Sequence, residues 1–420
     1  MSGGLFGRIW HGAARRGGSA PFTPAAATRD PPTSMGRAVL LFGVPNALFS
    51  AAMVQHSTSL SVALVYLVCA PLLVLMALRV VPRVDERRAV WLLVGFFVVA
   101  TVAFAVVYPI ADARRAFGGG TDADDALDLA ARALLRGQYP YLERTYLNNP
   151  ITPLLGWVGL AVPFVEVFGR AAYLNVFWLG VWLVLLVRVT GAASLALLLG
   201  VLTFVLFPGV SITYLNGSDS FASVVAISLL VVSIERVPWP ALAVLSGVVL
   251  SSRFNVVLLL PVMAAMLGRQ RALAFGALAG LVWLGVSFAP WLVDAADFSP
   301  LHTYGMLGRF DTVIPHFGLV VPALTGVMAL WLGWRVLDGA FDPWLAMALV
   351  LSAPVVVDFA AELAFTRQLD LWPLVYGLMV TPLWVFASVP AVRSALSDRR
   401  AEAQPPFWRL AARSASASRS

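Results

Sequence analysis

Residues 89–109 read AVWLLVGFFVVATVAFAVVYP, a run without a single charged side chain. Such a run is long enough to cross a bilayer as one helix, which takes about 20 apolar residues. The whole chain shares this character, since 60% of its 420 residues are hydrophobic, 12% are charged and the mean hydropathy is +0.84. A soluble domain carries roughly a quarter charged residues. The sequence therefore predicts an all-α polytopic membrane protein and excludes a set of soluble domains.

Similar apolar stretches lie on both sides of this run. Two short ones, 239–252 and 254–267, flank a polar turn and are interpreted as a pair of short helices. The stretch 151–168 contains Pro153, Pro163 and Glu166, so we expect it to lie along the outer surface instead of crossing. The remaining pattern predicts about 12 transmembrane helices, counting the two short ones. The longer crossings are expected near 38–54, 60–78, 89–109, 172–187, 190–207, 219–234, 272–291, 316–334, 343–361 and 371–388.

The distribution of charge predicts which side of the membrane each loop occupies. All 29 basic residues are Arg, and the formal net charge is +7. Because basic residues concentrate on the cytoplasmic side, the tails 1–36 and 391–420 are predicted to be disordered, basic and cytoplasmic. The loops 110–150 and 292–315 are then extracytoplasmic. The sequence pI near 10.1 is interpreted as this topology signal, so a multi-pass cell-membrane protein is expected and a nucleic-acid partner is not.

The external loop after residue 109 is the most informative part of the chain. Residues 118–141 read GGGTDADDALDLAARALLRGQYPY. Thr121 or Asp122 can cap a helix whose apolar residues recur at helical spacing, and Gly137 ends it. This pattern predicts an amphipathic helix on the outer surface with aspartates in its first turns. Those aspartates either cap and solvate the helix, or one of them is a general base that deprotonates an acceptor hydroxyl.

Two further residues are candidates for chemistry near the same face. Asp219 lies at an outer helix start, where it either caps the helix or acts as a second acidic group. Arg253 lies at membrane depth, which is costly unless the guanidinium has a partner. That partner is either an acidic side chain or a lipid phosphate, which a guanidinium grips in two places.

The loop opening resembles that of the GT-C glycosyltransferases, membrane enzymes that use polyprenyl-phosphate sugars. It has an aspartate after an early transmembrane helix, the Ala130-Ala131 pair, then Leu-Leu, Gly and Pro-Tyr. The resemblance places the catalytic aspartate about two helical turns before the alanine pair, on Asp124, with Asp122 and Asp125 as alternatives.

The next segment also resembles this family. Residues 148–155, NNPITPLL, are similar to its proline-bearing start of a juxtamembrane helix, which runs to Phe168-Gly169 before Arg170 opens the next span. The family's usual His-Pro-Pro or Tyr-Pro-Pro is here the looser Asn-Pro-Ile-Thr-Pro. The resemblance implies a GT-C-like catalytic domain over 89–390 that includes the external loop 110–170, with residues 37–88 as two additional N-terminal helices.

The activity implied is transfer of a sugar, mannose by default, from a polyprenyl-phosphate donor to a hydroxyl of a glycan, lipid or protein, with inversion on the extracytoplasmic side. No cofactor is required, and a divalent metal has only the weak DxD triplet Asp122-Ala123-Asp124 in its favour. Asp219 is a possible second catalytic acid. The donor phosphate is expected at Arg253, Arg309 and His302, and the acceptor or sugar at Tyr139, Tyr141, Asn149, Tyr304 and His316.

Two other classes of protein fit the same sequence. One is a transporter or flippase for a lipid-linked sugar, which would place charged residues through its mid-membrane helices and broken helices in matching halves. The other is a non-catalytic membrane partner of a glycosylation complex. Concentration of acidic residues in one external loop favours the enzyme over the transporter.

Overall fold

The computed structural model describes residues 33–80, 84–114, 120–302, 308–311 and 314–402. The described residues are 81% helical and form no β-strand, which confirms the predicted all-α class. The helices are numbered in chain order. They are α1 Ser34–Ser57, α2 Leu60–Val80, α3 Glu86–Ala113, α4 Asp122–Leu135, α5 Leu155–Phe168, α6 Ala171–Thr190, α7 Ala193–Leu206, α8 Pro208–Leu215, α9 Ser220–Val232, α10 Trp239–Leu250, α11 Phe254–Ala265, α12 Arg269–Val293, α13 Phe317–Leu337, α14 Pro343–Thr366 and α15 Trp372–Arg399.

Within the described part of the chain, 8 helices are long and apolar enough to cross a membrane, namely α1, α2, α3, α6, α12, α13, α14 and α15. The pair α7 and α8 is bent by 83° at Phe207 and makes 9 if it counts as one span. The three other predicted crossings correspond to α9, α10 and α11. With 13 residues in α9 and 12 in α10, these helices are only about 20 Å long or less, against a hydrocarbon core of roughly 30 Å. The polytopic class is therefore supported, and the count of twelve is not confirmed.

The helix that contains the opening run, α3, places most of its surface on the outside of the bundle. Only 11% of its most apolar window is buried, and Val99 is 68% exposed. Because folded soluble proteins rarely expose so large an apolar surface to water, this surface of α3 is suited to contact with a lipid bilayer.

Helix α4 forms where the sequence predicts it. The Thr121 hydroxyl accepts a hydrogen bond from the backbone N–H of Ala123 at 3.3 Å, and Gly137, with φ of 67°, lies just beyond the helix end. The helix buries Leu127, Ala130 and Ala131. Its apolar face packs against α5, so its acidic first turn is held in a fixed position over the end of the bundle.

Helix α5 has 14 residues, which is too short to span the bilayer, and Glu166 on it is exposed. It ends at Gly169, whose φ of 77° requires a glycine. Near its start, Gly156 lies directly against the turn after α10, where a Cβ would stand 2.0 Å from the Ser251 Oγ atom. This close approach brings the turn that carries Arg253 next to the loop that precedes α5.

Candidate functional site

The aspartates of α4 point in two directions. Asp122 is half-buried, and one of its carboxylate oxygens accepts from the Asn149 side-chain amide at 2.7 Å and from the Thr145 hydroxyl at 3.3 Å. Asp125 accepts from the backbone N–H of Tyr146 at 2.9 Å. These two carboxylates therefore hold the loop 145–149 against the start of α4.

The other two aspartates of α4 face the bundle. Asp124 is 4% exposed and accepts a hydrogen bond from the Tyr108 hydroxyl of α3 at 2.7 Å. Asp128 is 2% exposed and accepts from the Arg170 guanidinium at 3.1 Å and from the backbone N–H of Ala171. Both thus join α4 to the helices on which it lies.

Arg170 lies between two carboxylates, because it also donates to Asp112 at 2.8 Å. Two carboxylates therefore contact one guanidinium, and Asp124 lies close enough to both carboxylates for their charges to act on it. Burial, together with the charges of Asp128 and Asp112, raises the pKa of Asp124 to about 7, although the Tyr108 hydrogen bond opposes the rise. Burial also raises the pKa of Asp128, against the opposing effects of the Ala171 N–H and of Arg170. We call this group the Arg170 cluster, with members Tyr108, Asp112, Asp124, Asp128 and Arg170.

A second buried group surrounds Arg253. Its guanidinium donates to Asp219 at 2.8 Å and to the Thr152 hydroxyl at 2.8 Å. Asp219 is 1% exposed and accepts from the Trp157 indole N–H at 2.7 Å. Asp219 precedes α9, but its side chain forms no capping hydrogen bond, so its carboxylate pairs with Arg253 instead. We call Thr152, Trp157, Asp219 and Arg253 the Arg253 cluster.

One short segment connects Asp122 to the Arg253 cluster. Asn149 donates to Asp122, and Thr152, three residues later, accepts from Arg253. Residues 149–152 therefore contact both the Asp122 carboxylate and the Arg253 guanidinium. The charges of both also act on the hydroxyl of Tyr376, whose side chain is 59% exposed. Tyr376 lies in an apolar stretch and was not predicted as a site residue.

The predicted donor-phosphate residues of the loop after α12 are placed differently. Arg309 donates to Asp358 at 3.1 Å and lies 2.9 Å from Glu362, both on α14, so two carboxylates already balance its charge. His302 and His316 are exposed. Tyr304 lies outside the described residues. The acids at 358 and 362 were not predicted, although acidic residues four apart in an apolar helix are a recognisable functional signal.

The predicted sugar-contact tyrosines hold loops together. Tyr139 donates to the Asp294 carbonyl at 2.8 Å, and Tyr141 donates to the Pro153 carbonyl at 3.2 Å. Burial, reinforced by Asp294 and Asp297, raises the pKa of Tyr139 to about 12, so this phenol remains a hydrogen-bond donor. Tyr141 is 3% exposed, so its contacts are internal to the protein.

No cluster of three or more His, Cys, Asp or Glu side chains suited to a metal ion occurs in the ranges that the structure describes. Comparisons of the chain with protein-family models, with curated proteins and with solved structures gave no match. The class of protein defined by fold and site is thus a polytopic helical membrane protein with two buried Asp–Arg clusters beside one half-buried aspartate.

Proposed function

We propose that this protein is a membrane glycosyltransferase that moves a sugar from a polyprenyl-phosphate donor to an acceptor hydroxyl on the extracytoplasmic side. The supporting observation is that one segment, residues 149–152, holds both Asp122 and Arg253. Transfer of this kind needs a carboxylate to take a proton and a cation to face the departing phosphate. The resemblance of the loop 118–141 to GT-C enzymes supports the same chemistry.

Asp122 is the base that the geometry favours. It is half-buried, and its Asn149 and Thr145 partners occupy one carboxylate oxygen, which leaves the other to accept a proton. Asp124 has a pKa of about 7, which suits a base at neutral pH, but it is 4% exposed and bonded to Tyr108. An acceptor hydroxyl can reach Asp122 more easily than Asp124, so we propose Asp122 as the base and keep Asp124 as the alternative.

The reaction proceeds by one displacement at the anomeric carbon. Asp122 takes the proton of the acceptor hydroxyl as its oxygen forms a bond to that carbon. The bond between the anomeric carbon and the phosphate oxygen breaks on the opposite face, and the polyprenyl phosphate leaves with the electron pair. The configuration at the anomeric carbon is inverted, because attack and departure take place on opposite faces.

Arg253 is the cation for the departing phosphate in this proposal. A guanidinium has five N–H donors, and its bonds to Asp219 and Thr152 leave others for a phosphate oxygen. Its side chain is 20% exposed, so a ligand can reach it. Asp219 then acts as the fixed counter-charge that keeps the guanidinium in position.

Transport of a lipid-linked sugar is the second candidate function. The observation in its favour is the 83° bend between α7 and α8, because broken helices are typical of transporter binding sites. However, residues 193–215, which form the two helices of this bend, contain no charged side chain that could hold the phosphate of a lipid-linked sugar.

The test is sugar transfer by the full chain reconstituted in vesicles, with polyprenyl-phosphate mannose and glucose as labelled donors. We expect Asp122→Asn to lower the rate by about 10²–10⁴-fold while donor binding is retained. Asp297→Asn, which changes an exposed aspartate of another loop, is the matched control and should stay within about twofold.

Loss of transfer in Asp124→Asn with full activity in Asp122→Asn would assign the base to Asp124. Full activity in both variants would contradict the proposal. Movement of the donor between leaflets by the wild-type protein, without any transfer, would identify a transporter.

A further inference from the structure

A groove outside the two clusters lies at the far ends of α9 and α10. It has a volume of about 550 Å³ and lies between the turn 234–240 and the junction of α11 with α12. Asp219 directly precedes α9 and Arg253 lies three residues after α10, so the 13 residues of α9 separate the groove from the Arg253 cluster by about 20 Å. The groove is therefore a separate site at the opposite end of the bundle.

Arginines and apolar side chains line this groove together. Arg236 and Arg271 are exposed there, and neither forms an ion pair with any residue in the described ranges. Arg236 donates one N–H to the Val232 carbonyl at 3.1 Å, which leaves its other N–H donors available to a ligand. Glu235 is the one acidic residue of the lining, so the groove keeps a net positive charge. Its apolar lining consists of Ile234, Val237, Trp239 and Leu267, besides two prolines.

Its surroundings are those of a site at a membrane boundary. Leu273, two residues after Arg271 on α12, is 84% exposed, and Leu281 on the same helix is 67% exposed. A molecule whose anionic end lies between the two arginines therefore has a lipid-facing helix surface beside it. Trp239 is of the residue type that concentrates at the level of the headgroups. The Arg distribution also predicts that this end of the bundle is cytoplasmic, where anionic lipids and basic pockets meet.

We propose that this groove binds the headgroup of an anionic glycerophospholipid, with Arg236 and Arg271 on its phosphate and its acyl chains along α12. The volume suits a headgroup, since small-ligand pockets range from about 300 to 1,000 Å³. The binding site does not depend on the proposed sugar transfer, because it lies at the other end of α9 and α10.

The experiment is native mass spectrometry of the full chain in neutral detergent, with phosphatidylglycerol and phosphatidylcholine supplied in equal amounts. We expect the wild type to retain one phosphatidylglycerol in preference to phosphatidylcholine. The double variant Arg236→Gln, Arg271→Gln should lose that preference by about tenfold or more. The matched control is Arg188→Gln, Arg335→Gln, which removes two exposed arginines that are not part of the groove lining and should behave as wild type.

Three results would overturn the proposal. The first is equal retention of the two lipids by the wild type, and the second is an unchanged preference in the double variant. The third is displacement of phosphatidylglycerol by millimolar inorganic phosphate, which would make the groove a site for a soluble phosphate. Sugar transfer by the double variant should stay at the wild-type level in lipid-matched detergent, so failure here is distinguishable from failure of the enzymatic proposal.

Discussion

The Arg170 cluster and the Arg253 cluster both combine arginine with aspartate at the same end of the bundle. They differ in the number of carboxylates that surround the arginine. Arg253 faces one carboxylate, Asp219, and its side chain is 20% exposed. Arg170 faces Asp112 and Asp128, with Asp124 close by, and its side chain is 37% exposed. One cluster is a single pair of opposite charges, whereas the other brings two buried carboxylates, Asp124 and Asp128, close to Asp112 and Arg170.

This difference determines how each cluster responds to change. In the Arg253 cluster, neither charge has a replacement, so removal of one leaves the other buried and unpaired. In the Arg170 cluster, burial first of all, and then the charges of Asp128 and Asp112, raise the pKa of Asp124 to about 7, so this carboxyl takes up a proton near neutral pH. We therefore expect the Arg253 cluster to be sensitive to mutation and the Arg170 cluster to be sensitive to pH.

The largest effect is expected from Arg253→Gln. This change leaves the Asp219 carboxylate, 1% exposed, without its cation, and the expected loss is about 3–5 kcal/mol in the free energy of unfolding. Thermal unfolding in detergent at pH 7.5 measures it. The control is Arg269→Gln, whose pair with Asp338 is mostly exposed and should contribute no more than about 1 kcal/mol.

A second variant distinguishes an unpaired charge from lost packing. Asp219→Asn combined with Arg253→Gln removes both charges and should recover much of the stability that Arg253→Gln loses. Equal stability of the single and double variants would show that the buried charge of Asp219 is not what Arg253 compensates.

Local sequence signals predicted the frame of this region correctly. These signals are the Thr121 cap, the apolar spacing of α4, and the glycines Gly137 and Gly169 at helix ends. Each acts over a few residues, so it can be recognised without knowledge of the tertiary structure. The structure pairs Asp219 and Arg253 with each other, a contact that their separation along the sequence does not reveal.

The partners of the aspartates could not be predicted in the same way. Tyr108 lies within an apolar run, and Asp112 follows it at the end of α3, so only the packing of α3, α4 and α6 shows that both belong with Asp124. The predicted count of twelve helices is not confirmed for a related reason. Helices α9, α10 and α11 are apolar because they are buried among other helices, and apolar composition alone does not distinguish that from a full crossing.

A smaller effect, visible only as a function of pH, is expected from Asp124→Asn. The folded pKa of about 7 lies above the ordinary value of 3.8, so the folded state keeps a proton that the unfolded state releases. Stability is therefore lost as pH rises from about 4 to about 7, by up to roughly 4 kcal/mol on a shift of this size. Asn remains neutral, so the variant should lose this dependence and match or exceed the wild type in stability at pH 8.

Thermal unfolding between pH 5 and pH 8 checks this expectation, with Asp297→Asn as the control for an exposed aspartate. Parallel pH curves for the wild type and Asp124→Asn would mean that Asp124 is ionised in the folded protein throughout that range. Asp124 would then hold no proton near neutral pH, and the contrast in pH sensitivity between the Arg170 cluster and the Arg253 cluster would disappear.

The smallest effect is expected from Tyr108→Phe, and it refines the assignment of the proton. The Tyr108 hydroxyl donates to Asp124 at 2.7 Å, so its loss should cost about 1 kcal/mol. Because that hydrogen bond lowers the pKa of Asp124 against the effect of burial, Tyr108→Phe should move the pKa further upward. The decline in stability with rising pH should then extend above pH 7. An unchanged midpoint would assign the proton to Asp128, whose pKa is also raised by burial, instead of to Asp124.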